Sequence, residues 1–183
     1  EALVSMLAVT SLGAVWSSCS PDFGIQAITE RLNLVKPKVL FWSKEYLYKT
    51  KVYDCLEKLD KCYNSLNFET QVLLVGEKTS QSEKYYKKFY SLDDELKAIS
   101  SKEASSKFKF KPVNFNDPLF ILFSSGTTAK PKAIVHGVGG TLLQHKKELM
   151  LHSDLKPSDK LWFYTNCGWM MWNWMVSSLS LGS

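Results

Sequence analysis

Cysteine is scarce: Cys19, Cys55, Cys62 and Cys167 are the four in 183 residues, with no C-x-x-C pair and far below the density of a disulfide scaffold. That excludes a fold built on disulfides and points to reduced thiols in a cytosolic protein. A dense block of one charge is also missing. The net charge of +5 comes from lysines interleaved with acids, which reads as a solvated surface and not as a nucleic-acid interface. An uninterrupted membrane span is absent too. Residues 2–21 carry no charge, but Glu1 stands where a signal peptide needs basic residues. Residues 161–183 are charge-free and long enough to cross a bilayer, yet Asn166, Asn173, two glycines and five Ser/Thr break them, so a buried segment of a soluble protein is expected. There is no internal repeat, and no low-complexity tract beyond a serine- and lysine-rich stretch.

What is present suffices for a core: 45% of the residues are hydrophobic and 13% aromatic. The chain starts at Glu1 and stops just after an aromatic-rich segment, and both ends are expected to be cut. Alanine and leucine spacing predicts a helix over the first eleven residues, and "GAVWS" a short buried strand. "SPDFG" is a turn. "IQAITERLNLV" follows as a helix with Ile25, Ile28, Leu32 and Val35 on one face, then "KVLFW" as a strand. "VYDCLEKLDKCYNSL" repeats apolar residues at three and four (Val52, Cys55, Leu56, Leu59, Tyr63), which predicts a helix, and "QVLLVG" a buried strand. Alternating helices and short apolar strands imply an α/β fold, layered, with largely parallel sheets and flanking helices. Residues 77–111 read as a polar surface excursion with one short helix and no domain boundary. "DPLFILFSS" and "KAIVH" are strands expected to be neighbours in one sheet. The helix in "GVGGTLLQHKKELMLHSDL" is predicted to place Val138, Leu142, His145, Leu149 and His152 near one face.

Between those last two strands lies "SSGTTAKPK". A phosphate chain needs oriented donors, positive charge and close backbone approach. Ser124, Ser125, Thr127 and Thr128 offer hydroxyls, Gly126 admits the backbone, and Lys130 and Lys132 supply charge. Pro131 stands where a Walker A loop needs its second glycine. By composition alone such a loop is also common on ordinary surfaces.

The order of the surrounding segments resolves this. "SSGTTAKPK" resembles the phosphate-binding signature of the adenylate-forming enzymes, S/T-S-G-S/T-T-G-x-P-K, with Ala129 in place of the last glycine. "AIVHGVGG" is similar to the short-chain acyl-CoA synthetase form, and "GAVWSSCSPDFGIQAITERL" with "YTNCGWMMWNWM" looks closest to its acetoacetyl-CoA synthetase branch. The resemblance covers nearly the whole chain, as part of the large N-terminal, AMP-binding domain. It implies a ligase that uses ATP, with Mg2+, to turn acetoacetate into an acyl-adenylate, and then coenzyme A to form acetoacetyl-CoA. The phosphate-contacting residues it implies are Ser124, Ser125, Gly126, Thr127, Thr128 and Lys132. Lys130 falls at a variable position, and a Cβ at Ala129 is unfavourable if that position takes a positive φ.

In related acetyl-CoA synthetases the residues at and after the Gly-Trp line the acyl pocket, which carries over to Trp169, Met170 and Met171. Read from spacing, Trp169, Trp172, Val176 and Leu179 form a helical stripe, and Trp172 and Trp174 are expected in the core. A serine hydrolase is not indicated, for no G-x-S-x-G occurs. The resemblance puts His136 near the nucleotide. His145 and His152, seven apart with no carboxylate or thiol partner, are expected to pack or face solvent, and no metal site is expected within the chain. The adenine-contacting Y-G-x-T-E-type segment, the ribose-binding aspartate and the small C-terminal lid domain with the catalytic lysine are expected outside this chain, which alone is expected to be inactive. The rival readings are a sister synthetase for acetate or propionate, and a truncated, non-catalytic gene product.

Overall fold

The computed structural model describes residues 1–80, 82–99, 108–124 and 130–183, and divides them into two compact units, residues 1–20 with 109–183 and residues 21–108. The second unit thus closes at Phe108, inside the stretch read from sequence as free of a boundary.

In the unit of residues 21–108, strand β2 (Val39–Ser43) pairs in parallel with β5 (Gln71–Val75), which pairs in parallel with β6 (Tyr90–Ser91). The helix Leu56–Tyr63 lies in the connection from β2 to β5, and the helix Ile25–Val35 precedes β2, both where spacing predicts helices. Their three-and-four spacing buries Ile28 and Leu32 on one, Leu56, Leu59 and Cys62 on the other, together with Val72 and Leu74 of β5. Leu59 and Leu74 are fully buried. Trp42 joins this core and donates its indole N–H to the carbonyl of Cys55 at 3.0 Å. Lys58 closes the "SPDFG" turn by donating to the carbonyls of Pro21 (2.6 Å) and Phe23 (3.0 Å).

Two expectations change here. Val52 lies not on the helix but in β4 (Lys51–Asp54), which forms an antiparallel hairpin with β3 (Glu45–Tyr48). Its turn puts Lys49 and Thr50 at φ 46° and 68°, the primed geometry that Asn-Gly normally supplies, so the turn carries no sequence signature. Tyr46 and Tyr53 stack across it at 5.0 Å. The polar excursion holds two short helices, Glu83–Tyr86 and Leu92–Ala98, the second capped by Ser91, whose hydroxyl accepts from the amide of Asp94.

In the other unit, the helix Ala2–Ser11 precedes β1, which is only Trp16–Ser17. β1 runs parallel to β7 (Pro118–Ser124), and β7 pairs antiparallel with β8 (Lys132–Gly137). Trp16, Phe120 and Leu122 are buried there. Among the described residues the sheet β2-β5-β6 is all parallel, the sheet β1-β7-β8 is mixed, and β3 with β4 is an antiparallel pair. Among the described residues no helix is long and apolar enough to cross a membrane.

Candidate functional site

β7 alternates with period two, so that buried Phe120 and Leu122 share a face with half-buried Ser124. The ladder ends on the pair Ser124 and Lys132, after Leu122 with Ile134 and Phe120 with His136. Residues directly opposite in an antiparallel ladder project to the same side, with Cβ atoms about 5 Å apart. The first hydroxyl and the signature lysine of the loop are thus held together at its neck, one on each strand. Ser125, Gly126, Thr127, Thr128 and Ala129 lie outside the described residues. Lys130 and Lys132 are exposed.

β8 passes through Gly137 into the helix Val138–Lys147, continued as a π-helical turn over Glu148–His152. The entry is locked from beneath. The amides of Val138 and Gly139 donate to the carbonyls of Asp117 (2.9 Å) and Phe115 (2.8 Å). A Cβ on Gly139 would lie 2.1 Å from the Phe115 ring, whereas at Gly140 it would meet open space. Of the two glycines, only the first is required by close packing. The buried side of this helix is Gly139, His145 and Leu149, while Leu142 is 51% exposed and His152 is exposed and pairs with Glu148 at 2.9 Å. The expected face is corrected accordingly: the contact with Phe115 sets which side of the helix turns inward.

Trp169 and Met170 are 53% and 47% exposed, and Met171 is half-buried, at the start of the helix Met170–Val176. The turn before it is made by Asn166, whose side-chain oxygen accepts from the amide of Gly168 (3.0 Å) and whose carbonyl accepts from that of Trp169 (3.1 Å). A Cβ on Gly168 would come to 3.0 Å from the amide nitrogen of Ser20, so the turn sits directly against the segment that follows β1. Ser18 adds a hydrogen bond from its hydroxyl to the carbonyl of Cys167. Trp172 and Trp174 are half-buried, and the fully buried residue of this helix is Asn173. The expected core placement of Trp172 and Trp174 is corrected accordingly: both indoles keep some exposure, as the large tryptophan side chain commonly does, and the enclosed position of this helix belongs to Asn173.

Sequence spacing gave His145 only a packing or surface role. It is 7% exposed, and its Nδ1 lies 2.7 Å from the hydroxyl of Ser177. Burial and the neighbouring His136 hold its pKa below the ordinary histidine value, so the ring is neutral near pH 7. The available signal was the pair Asn173 and Ser177, polar residues one turn apart in an apolar run. The thiols of Cys55, Cys62 and Cys167 are pushed up by burial, and none of the four cysteines is in a disulfide, so none of these three is a poised nucleophile. Among the described residues no group of three or more His, Cys, Asp or Glu could hold a metal ion.

The whole chain, residues 1–183, matches the family described as AMP-binding enzyme. It is 43% identical to the acetoacetyl-CoA synthetase of Mus musculus over 188 aligned residues, covering all of this chain and 28% of that protein. It is 40% identical to the malonamoyl-CoA synthetase of Penicillium aethiopicum, over all of this chain and 26% of that one. The acetoacetyl-CoA synthetase structure from Streptomyces lividans superposes with a TM-score of 0.83 at 36% identity, covering 99% of this chain and 27% of that chain. The chain thus spans a little over a quarter of the relatives it matches. With a hydroxyl and lysine paired at the neck of the signature loop, on a fold shared with these relatives, the chain belongs to the AMP-binding enzyme family.

Proposed function

We propose that this chain is the phosphate-gripping part of an ATP-dependent, AMP-forming acid–CoA ligase whose acid is acetoacetate. The observation that carries it is the register of β7 and β8, which seats Ser124 beside Lys132 at the base of the "SSGTTAKPK" loop. A carboxylate oxygen is a poor leaving group, and attack of the carboxylate on the α-phosphorus of ATP replaces it with AMP and releases pyrophosphate. Ser124, Ser125, Thr127 and Thr128 donate hydroxyls to the β- and γ-phosphates, Gly126 lets the backbone approach, and Lys132 supplies positive charge. Together they stabilise the negative charge that builds on the departing pyrophosphate. The thiol of coenzyme A then attacks the acyl carbon and AMP departs. Trp169, Met170 and Met171 line the acyl side in this reading, and their partial exposure leaves apolar surface for an acid to cover.

Mg2+ belongs to the reading as a counter-charge for the phosphates, but the described residues offer no cluster of carboxylates for it, so no step here is assigned to it. In this reading residues 1–183 supply neither the catalytic lysine nor the adenine contacts of such a ligase. Four cysteines outside any disulfide agree with a cytosolic setting.

A second acid is favoured by one observation. A relative named for malonamoyl-CoA is 40% identical, and malonamate, like acetoacetate, is a short acid with a carbonyl β to the carboxylate. The test is AMP formation by the full-length protein with ATP, coenzyme A and a panel of acetoacetate, malonamate, acetate and propionate. Acetoacetate is expected to give the highest kcat/KM. A higher value for acetate or propionate would replace the acid, and no AMP with any acid would refute the ligase.

A further inference from the structure

The pyrophosphate grip leaves one feature of the loop-bearing unit unexplained: its interior carries a chain of polar groups that connects two helices. His145 stands on the helix that β8 feeds directly, and its Nδ1 meets the hydroxyl of Ser177 at 2.7 Å. The same hydroxyl lies 3.1 Å from the main-chain carbonyl of Asn173, one turn earlier in the chain. A serine hydroxyl has one proton, and the carbonyl can only accept, so the proton goes to Asn173 and the oxygen accepts from Nδ1–H of His145. One step further on, the side-chain amide of Asn173 donates to the carbonyl of Trp169 at 3.4 Å. The series therefore starts at the helix behind the phosphate hairpin and ends at the first turn of the helix that bears Trp169, Met170 and Met171.

Stability does not account for it. Asn173 is 1% exposed, and its side-chain oxygen has no donor among the described residues, so an apolar residue of similar size would be better tolerated there. The buried side chains of His145 and Asn173 meet their partners by geometry that an apolar pair would not specify. At its other end the same segment is fastened by Ser18 to the carbonyl of Cys167. Met170 and its neighbours thus stand between two anchors, one of which is His145.

We infer that His145 is a positioning residue for the acid: through Ser177 and Asn173 it sets the placement of Trp169, Met170 and Met171 relative to the phosphate hairpin. The inference rests on the ligase reading, for it needs those three residues to face the acid. His145 itself touches no substrate. Its loss should loosen acid binding while leaving the ATP side, held by the loop and by β7 with β8, nearly as it was.

The experiment uses the full-length protein as wild type, His145→Leu, His145→Asn and Ser177→Ala, with KM for acetoacetate, KM for ATP and kcat measured for each. Leucine keeps the volume and deletes the donor, and asparagine returns a donor close to the position of Nδ1. His145→Leu is expected to raise the acetoacetate KM about tenfold, as for loss of one buried hydrogen bond, with the ATP KM changed less than about twofold. His145→Asn should recover most of that loss, and Ser177→Ala should show the same split to a smaller degree. Equal rises in both KM values, no rise in either, or an asparagine variant as impaired as the leucine one would each overturn the inference. Should His145→Leu fail to fold, the split or its absence in Ser177→Ala decides. Amide hydrogen exchange over residues 170–176 gives a readout independent of turnover. Faster exchange in Ser177→Ala supports the coupling even if wild type activates no acid, an outcome that would refute the ligase reading alone; unchanged exchange contradicts the coupling.

Discussion

The two units bury different chemistry. In residues 21–108 the interior is mostly carbon, Ile28, Leu32, Leu56, Leu59, Val72 and Leu74, with Lys44 as its one buried charged residue among those described; its buried serines Ser82 and Ser91 serve local turns and caps three residues away, while Trp42 and Lys58 bond to main-chain carbonyls of other elements. The loop-bearing unit buries Phe120, Leu122 and Leu149 beside His145 and Asn173, and its polar groups bridge elements far apart in sequence: His145 to Ser177, Ser18 to Cys167. Apolar packing is non-directional and supplies stability, whereas hydrogen bonds specify position. The difference is one of degree: residues 21–108 enclose mainly aliphatic side chains, and the loop-bearing unit encloses an imidazole and a carboxamide beside its apolar ones.

The sharpest way to break this contrast is Leu74→Ala. At 0% exposure, its truncation in the middle of β5 should destabilise the fold by about 2–5 kcal/mol. Denaturant unfolding measures that loss, and KM values of the folded fraction should stay put. A shift in the acetoacetate KM would show that the carbon-cored unit also positions the site. Lys132→Ala should do the reverse. Adenylation is expected to fall about a hundredfold, while unfolding changes by less than about 0.5 kcal/mol, as for other exposed positions.

A pH series sharpens the contrast further. The His145 pKa is lowered in the fold, first by burial and then by His136, so the unfolded chain binds the proton more readily. Stability contributed by keeping the ring neutral is present above the unfolded value of about 6.5 and is lost as pH falls below it, with a slope of at most about 1.4 kcal/mol per pH unit. Urea midpoints measured from pH 7.5 to 5 should decline, and less steeply in His145→Asn; equal declines would remove His145 as the source. The smallest effect is expected from Ala129→Gly. Relieving a Cβ at the signature's glycine position is worth under about 1 kcal/mol, seen as a rise of at most about fivefold in the adenylation rate, and a fall in rate would show that alanine suits that backbone.

How far each region could be read beforehand follows from the same contrast. Where burial is apolar and regular, spacing sufficed: Ile28 and Leu32 on one helix, Leu56 and Leu59 on the next, and Val72 with Leu74 alternating along β5. The β3–β4 hairpin was hidden because Lys49 and Thr50 adopt positive φ without the residues that favour it. In the loop-bearing unit, periodicity placed the helices but not their inward faces. Leu142 looked buried and is exposed, since the ring of Phe115 against Gly139 decides the rotation. Trp172 and Trp174 looked like core, and the core position went to Asn173, which hydropathy cannot select. The loop offers a signature from Ser124 to Lys132 whose chemistry stands as a proposal, while the pairing that closes its neck is a matter of strand register.

The central claim is that this loop grips the leaving pyrophosphate, and ATP–pyrophosphate exchange without coenzyme A isolates that step. With acetoacetate present, the full-length wild type is expected to exchange label at a rate dependent on the acid, and Thr128→Ala to exchange about a hundredfold more slowly with an unaltered unfolding midpoint. Exchange by Thr128→Ala at the wild-type rate would contradict the account.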